Sequence, residues 1–372
     1  MGWQLHLGKS ALFASTARLR QWLRLHTADI GATTQILALG VVATAGRQQR
    51  SPFKAGRMAT AADRMRRVGH IPVPFPRRCH LAAAAGTAAG LYGAACGAPP
   101  SRELAALRRA ARVAVCHGGS RAAPEVVFGL LSPTWRLDPL AVAVIAPIWQ
   151  AARALRDGSL PIETWQDVVG AITAGHGRAA GPIAAALRGM AQLGLGSDIQ
   201  CWTGVTCAPH GWDPAAHPKA ESLHTLLEAW RRAQWREVAA RRSDLAHIAD
   251  GVDTWATMRL LGGVVSGVPA LPPDAAAALR TVMSGNVVTE RVAAHWTSRC
   301  LCPHCGLEEE DREHRFWRCP AWGLAREAAL EALVDSTALR ANLPAGVATT
   351  GILAAQPELL ALAEAASREP SA

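Results

Sequence analysis

The chain holds one tyrosine and five phenylalanines in 372 residues, against 13 tryptophans. No elementary rule of composition explains that balance. Other shortages are more informative. The nine cysteines are an odd number and thinly spread except at 300–319, which excludes the disulfide framework of a small secreted scaffold and favours a reducing compartment. The opening MGWQLHLGKS lacks the apolar core of a signal peptide, and His6 stands where a myristoylation signal needs serine or threonine. The uncharged stretch at 81–98 is rich in alanine and glycine, too weakly apolar for a membrane span, and reads as a buried helix. Gly-x-Ser-x-Gly, the phosphate-binding loop and His-Glu-x-x-His are all missing, as is any Asp-Asp dipeptide. A hidden enzyme is therefore the weakest of the functional readings.

Acidic residues are scarce in one place above all. Residues 1–120 contain 17 lysines and arginines but only three acids, a balance of +14, whereas residues 121–372 carry 22 against 26, a balance of −4. A polycation of that kind attracts phosphate backbones or anionic membrane surfaces. Its arginines fall in a helical pattern: over 53–67, Met58, Ala62 and Met65 share one face, and Arg57, Arg64, Arg66 and Arg67 take the other. Three prolines then break the helix just before Arg77 and Arg78. Helices are further predicted over 79–97, 101–116, 138–156, 161–173, 179–193, 219–248 and 274–285. A strand is predicted over 36–46, a turn-rich segment over 197–218 and a linker over 267–273. The sum is a mainly α fold with a small β element near the N-terminus.

The densest chemistry lies in CLCPHCGLEEEDREHRFWRC, residues 300–319. Cys302, Cys305, His314 and Cys319 follow the spacing C-x2-C-x8-H-x4-C. Two cysteines three apart straddle a tight turn, and the following glycine lets backbone amides reach the sulfurs. Three thiolates and an imidazole suit a closed, structural Zn²⁺ site, worth ~10–16 kcal/mol to a small module. Cys300 and His304 remain alternative ligands. Arg315 and Arg318, with Trp317, suit phosphate contact and base stacking, although the acids between them nearly cancel the local charge.

The sequence CPHCGLEEEDREHRFWRCPAW resembles the cysteine–histidine knuckle near the C-terminus of reverse transcriptases of non-LTR retrotransposons. Glu313-His314, Phe316-Trp317 and Cys319-Pro320 match that family in order. GWQLHLGKS, ending in Lys9 and Ser10, is similar to the segment that closes the family's palm. ILALGVVA looks like its primer-grip strand, and 57–94, with Leu91-Tyr92-Gly93, like its thumb helices. The resemblance implies palm-edge strands at 1–50, basic thumb-like helices at 51–120, a helical connector at 121–273, a zinc-knuckle module at 274–340 and an Ala-rich tail at 341–372.

One departure qualifies that likeness. Such polymerases hold two Mg²⁺ on a carboxylate pair, and residues 1–120 offer only Asp29, Asp63 and Glu103. The chain is expected to start after that pair and to lack polymerase activity of its own. The expected function is binding of RNA or DNA through Lys9, Arg57, Arg64, Arg66, Arg67, Arg77 and Arg78, aided by Arg315, Trp317 and Arg318, with structural zinc and no membrane. A zinc-stabilised protein-interaction module is the alternative.

Overall fold

A computed structural model describes residues 11–13, 17–26, 31–33, 35–38, 41–44, 52–116, 121–174, 181–195, 219–262, 271–294, 301–330 and 345–355. The fold is mainly α. The chain divides into two compact units, Met1–His117 with Pro133–Trp230, and Gly118–Ser132 with Arg231–Ala372. The expected turn-rich segment at 197–218 lies outside the described residues, and so does most of the linker at 267–273.

The first unit opens with two small strand pairs and a helix. β1 (Ala11–Phe13) pairs in parallel with β2 (Gly31–Thr33), and α1 (Ala17–His26) lies between them in sequence. β3 (Gln35–Ala38) and β4 (Val41–Thr44) pair antiparallel, Gln35 opposite Thr44. The strand expected over 36–46 is thus two antiparallel strands, with Ala38 opposite Val41, rather than one continuous strand.

α2 (Pro52–Gly69) follows the predicted periodicity. Met58, Ala61, Ala62, Met65 and Val68 are buried, and α4 (Ser101–Cys116) answers with Leu107, Ala110, Ala111, Ala114 and Val115. The small residues bring the helices close, and a Cβ on Gly69 would stand 3.2 Å from the Ala114 Cα. Pro72 and Pro74 end α2 before α3 (Phe75–Ala82) begins. The uncharged segment after it is not one straight helix. α3 passes into a π-turn at Ala83–Ala88, and a 3₁₀ turn closes the segment at Ala94–Cys96. Gly93 stands between them at φ 76°, a left-handed conformation that favours glycine.

A second core gathers α6 (Pro139–Arg156), α7 (Ile162–Thr173), α8 (Pro182–Gln192) and the first half of α9 (Lys219–Arg241), with the short α5 (Pro124–Val126) belonging to the other unit. Ile145, Ile148, Trp165, Val169, Met190, Leu226 and Trp230 meet there. Asp138 caps α6 by accepting from the Leu140 amide at 3.0 Å. Burial of that carboxylate is offset by Arg108 of α4, which donates twice to it, at 3.0 and 3.1 Å. Among the described residues no helix is long and apolar enough to cross a membrane.

In the second unit the long helix expected over 219–248 is shorter. α9 stops at Arg241 and a 3₁₀ turn, Ser243–Ile248, carries Leu245 and Ile248 inward. There α9 contributes Trp235 and Val238 to the interior, and Glu125 of α5 is buried and bonded to Arg241 at 2.8 Å. α10 (Thr254–Gly262), α11 (Pro273–Met283) and α12 (Glu290–Ala293) lead toward the cysteine-rich module. α13 (Gly323–Leu330) and α14 (Ala345–Thr350) follow it. The chain after α14 returns to the start of α10, where Val252 bridges Ala354 and the Asp253 amide donates to the Leu353 carbonyl at 2.9 Å.

Candidate metal centre

The module from Leu301 to Trp322 is built around its acids as much as its cysteines. Leu301 and Glu309 form an antiparallel bridge, and the Cys302 amide donates to the Glu308 carbonyl at 2.8 Å. Between them the chain makes its knuckle. Gly306, at φ 69°, donates to the Cys302 carbonyl at 2.8 Å, and the Leu307 amide turns onto Cys305 Sγ at 3.5 Å. Asp311 then accepts from the His314 amide at 2.6 Å and starts the helical turn that holds the third donor. That turn runs as a π-helix over His314–Arg318, so the Cys319 amide reaches the His314 carbonyl at 2.7 Å and the last cysteine swings back to the first pair.

The result is a cluster. Cys302, Cys305, His314 and Cys319 place their ligand atoms within 4.8 Å of one another, an arrangement that can hold a metal ion. Cys302 Sγ lies 3.7 Å from Cys319 Sγ, and Cys305 Sγ lies 3.3 Å from His314 Nε2. Cys302, His314 and Cys319 are buried. The Leu307 amide on its sulfur, helped by the Glu308 amide and opposed by partial desolvation, pulls the Cys305 thiol down to about 7. Burial pushes the Cys319 thiol up.

The ring of acids has definite tasks. Glu308 Oε2 sits 3.1 Å from His314 Nδ1, which leaves Nε2 to face the sulfurs. Metal-bound histidines commonly carry such a carboxylate on the other ring nitrogen. Glu310 is buried and accepts from the Glu290 amide at 2.8 Å, with the Arg315 guanidinium 3.5 Å away. In the sequence these carboxylates read only as charge that cancels the arginines. Their position between the cysteine pair and the histidine was the available signal.

Of the competing ligands, His304 is exposed and stacks edge-on against Trp322, with ring centroids 4.9 Å apart. It is not part of the cluster. Cys300 lies outside the described residues, as does Lys9.

The module's cations and aromatics are engaged within their own unit. Arg312 donates to the Gly285 carbonyl at 2.7 Å and pairs with Asp244. Arg315 donates to the Val288 carbonyl at 2.6 Å. Trp317, half-buried, donates its indole N–H to the Ala348 carbonyl at 2.8 Å. Arg318 is exposed and lies 3.4 Å from Glu308 and 3.5 Å from Asp311.

The arginines of the first unit sit differently. Arg64, Arg66, Arg67 and Arg77 are exposed, with Arg66 paired to Asp63. Arg57 is half-buried, its guanidinium 5.9 Å from the centre of the Tyr92 ring. Arg78 is buried and donates to the Val73 carbonyl at 2.8 Å. The structure therefore brings the four metal-type ligands together, sets four of the first-unit arginines on the surface and turns Arg78 inward.

Compared with known protein families, curated proteins and solved structures, the chain matches none.

Proposed function

We propose that this protein binds single-stranded RNA or DNA through the arginine face of α2 and α3, and that its cysteine–histidine cluster holds one structural Zn²⁺. The observation that carries the reading is the division of α2. Met58, Ala61, Ala62, Met65 and Val68 are buried while Arg64, Arg66 and Arg67 stand in solvent, and Arg77 follows on α3. Guanidinium groups on one exposed face suit a row of phosphates, and counterion release then drives association.

Zinc is favoured by the donor set and its spacing. A tetrahedral ion with bonds of about 2.3 Å to sulfur needs ligands about 3.8 Å apart. The two close pairs stand at 3.7 and 3.3 Å. Four protein ligands fill a tetrahedron, so bound zinc would supply structural cross-linking and no activated water. Cys302, Cys305, His314 and Cys319 would hold it, Glu308 would orient the imidazole, and Glu310 would anchor the loop to α12.

The order of basic helices and knuckle fits the C-terminal part of a non-LTR retrotransposon reverse transcriptase, and that kinship belongs to the proposal. The proposed role is binding and not polymerisation, since the chain has no Asp-Asp pair to carry the catalytic ions. A second reading, a protein-interaction module, draws on Leu307 and Leu324, which are 71% and 84% exposed.

The test is binding of the full zinc-loaded chain to a labelled single strand across a salt series. Affinity should fall with salt by a slope of roughly −0.7 per phosphate contacted. Replacing Arg64, Arg66 and Arg67 together by alanine should flatten that slope by about 2. An unchanged slope in the triple variant would overturn the assignment of this face. Salt-independent capture of a protein partner would favour the second reading.

A further inference from the structure

A cleft of about 750 Å³ opens in the first unit between the π-turn Ala83–Ala88 and the segment Thr134–Arg136. Its size falls in the range of roughly 300–1,000 Å³ usual for small-ligand sites. The two walls are tied at their base by Thr87 Oγ1, which donates to the Leu137 carbonyl at 3.3 Å. Leu137 is fully buried, so that tie is anchored in the core. The far wall is set by a 3₁₀ turn. Thr134 Oγ1 accepts from the Arg136 amide at 3.3 Å, and the Asp138 amide donates to the Trp135 carbonyl at 3.2 Å.

The chemistry of the walls is uneven. On one side Ala84 and Ala88, four residues apart and both exposed, present a low surface with no side chain beyond Cβ. On the other, Trp135 is half-buried and Arg136 is exposed, its guanidinium 5.8 Å from the centre of the indole. His80 stands at the rim, one helical turn after Arg77 on α3. No carboxylate lines the cleft among the described residues. The nearest in sequence, Asp138, is buried and held by two hydrogen bonds from Arg108. The site therefore combines a half-buried indole, a low opposite wall and the Arg136 guanidinium over the indole, with no carboxylate among the described lining residues.

We propose that this cleft binds a nucleotide, with the base lying between Trp135 and the alanine wall and the phosphate held by Arg136 and His80. Stacking on an indole needs only a π-face and so tolerates any base. A guanidinium beside it serves the phosphate attached to that base. Arg77 stands three residues before the cleft-lining His80 on α3, so a strand held by the arginines can turn one base inward. The inference deepens the reading above and rests on it for a strand as the source of the base, while a free nucleotide is the other source of the same chemistry.

Two probes on the full zinc-loaded chain separate the sources: adenosine monophosphate in solution, and a strand of about 20 nucleotides carrying one photoreactive 4-thiouracil. Binding of the mononucleotide, or a crosslink mapped to the peptide containing Trp135 or His80, supports the site and identifies its source. Trp135→Ala should cut the responding signal by about tenfold or more. Because Trp135 also touches the core, Ala88→Leu serves as a second variant, filling the cleft from the exposed wall with the same expected loss. If the strand binds through α2 but crosslinks elsewhere and the mononucleotide does not bind, the cleft assignment fails and the strand-binding reading stands. If neither probe binds at all, both fail. A signal untouched by Ala88→Leu also overturns the site.

Discussion

Glu308 bonds the ring nitrogen of His314 that faces away from the sulfurs, and Asp311 caps the turn that carries the ring. At this scale the metal centre is a problem of aiming one imidazole at three thiols. Replacing Cys302 by serine should remove bound zinc, while Cys300→Ser should leave it at one ion per chain. Elemental analysis of the two purified variants checks this, and zinc lost only from the Cys300 variant would mean that the first ligand is the other cysteine. Glu308→Gln should keep the ion but weaken its hold by about 10- to 100-fold, the usual consequence of losing such an outer partner. Competition with a calibrated chelator measures it.

Asp244 allows a prediction about acid. Burial pushes its carboxyl up, but Arg242 and Arg312 bond it and outweigh that push, so its pKa lies below the usual carboxylate value. Arg121 adds further positive charge near Arg312. A carboxyl depressed in the folded state stabilises fully above the unfolded value near about 4, and the contribution is lost as pH falls through the lower folded value. Asp244→Asn should therefore be less stable than the parent at neutral pH, and the difference should shrink below about pH 4. Urea denaturation at neutral and acid pH, read as the gap between parent and variant, checks the sign; a gap that widens in acid would refute it.

At the scale of elements, α6 and α8 cross closely. A Cβ added at Gly189 would lie 2.8 Å from the Val144 carbonyl oxygen and 3.1 Å from Ile148 Cδ1. Alanine is the better helix former by about 1 kcal/mol. Overpacking typically costs about 1–3 kcal/mol, and here the obstacle is backbone, which cannot rotate aside. Gly189→Ala should therefore destabilise the chain on balance, seen as a lower denaturant midpoint with unchanged slope. The knuckle makes the complementary point. The amides of Cys302, Gly306 and Cys319 all bond within the loop that the four ligands enclose, so chelating the ion should speed their hydrogen exchange more than that of α6.

For the whole molecule, charge and missing chemistry set the expectations. The positive excess belongs to residues 1–120, and four of its arginines stand exposed on α2 and α3. With no Asp-Asp pair in the chain, no templated DNA synthesis is expected with Mg²⁺ or Mn²⁺. Primer extension on an RNA template is the check, and product above a no-enzyme control would refute the non-catalytic reading.

The mainly α character, the apolar face of α2 and the spacing of Cys302, Cys305, His314 and Cys319 were determined by sequence alone, because helical period and ligand spacing are local properties of the chain. What needed the tertiary structure depends on residues far apart in sequence. Arg78 looks equivalent to Arg77 in the sequence, yet the fold buries it with its charge near Cys116 at the end of α4. Arg315 and Trp317 read as groups for nucleic acid, but their partners are Val288 and Ala348, about 30 residues away. The 219–248 pattern continues past the point where α9 stops, because Leu245 and Ile248 find their core through a 3₁₀ turn. The cleft beside Trp135 is lined by segments about 50 residues apart in sequence, which the Thr87–Leu137 hydrogen bond joins. Periodicity shows which side of a helix is buried; only packing decides what meets it there, since that depends on contacts no local pattern encodes.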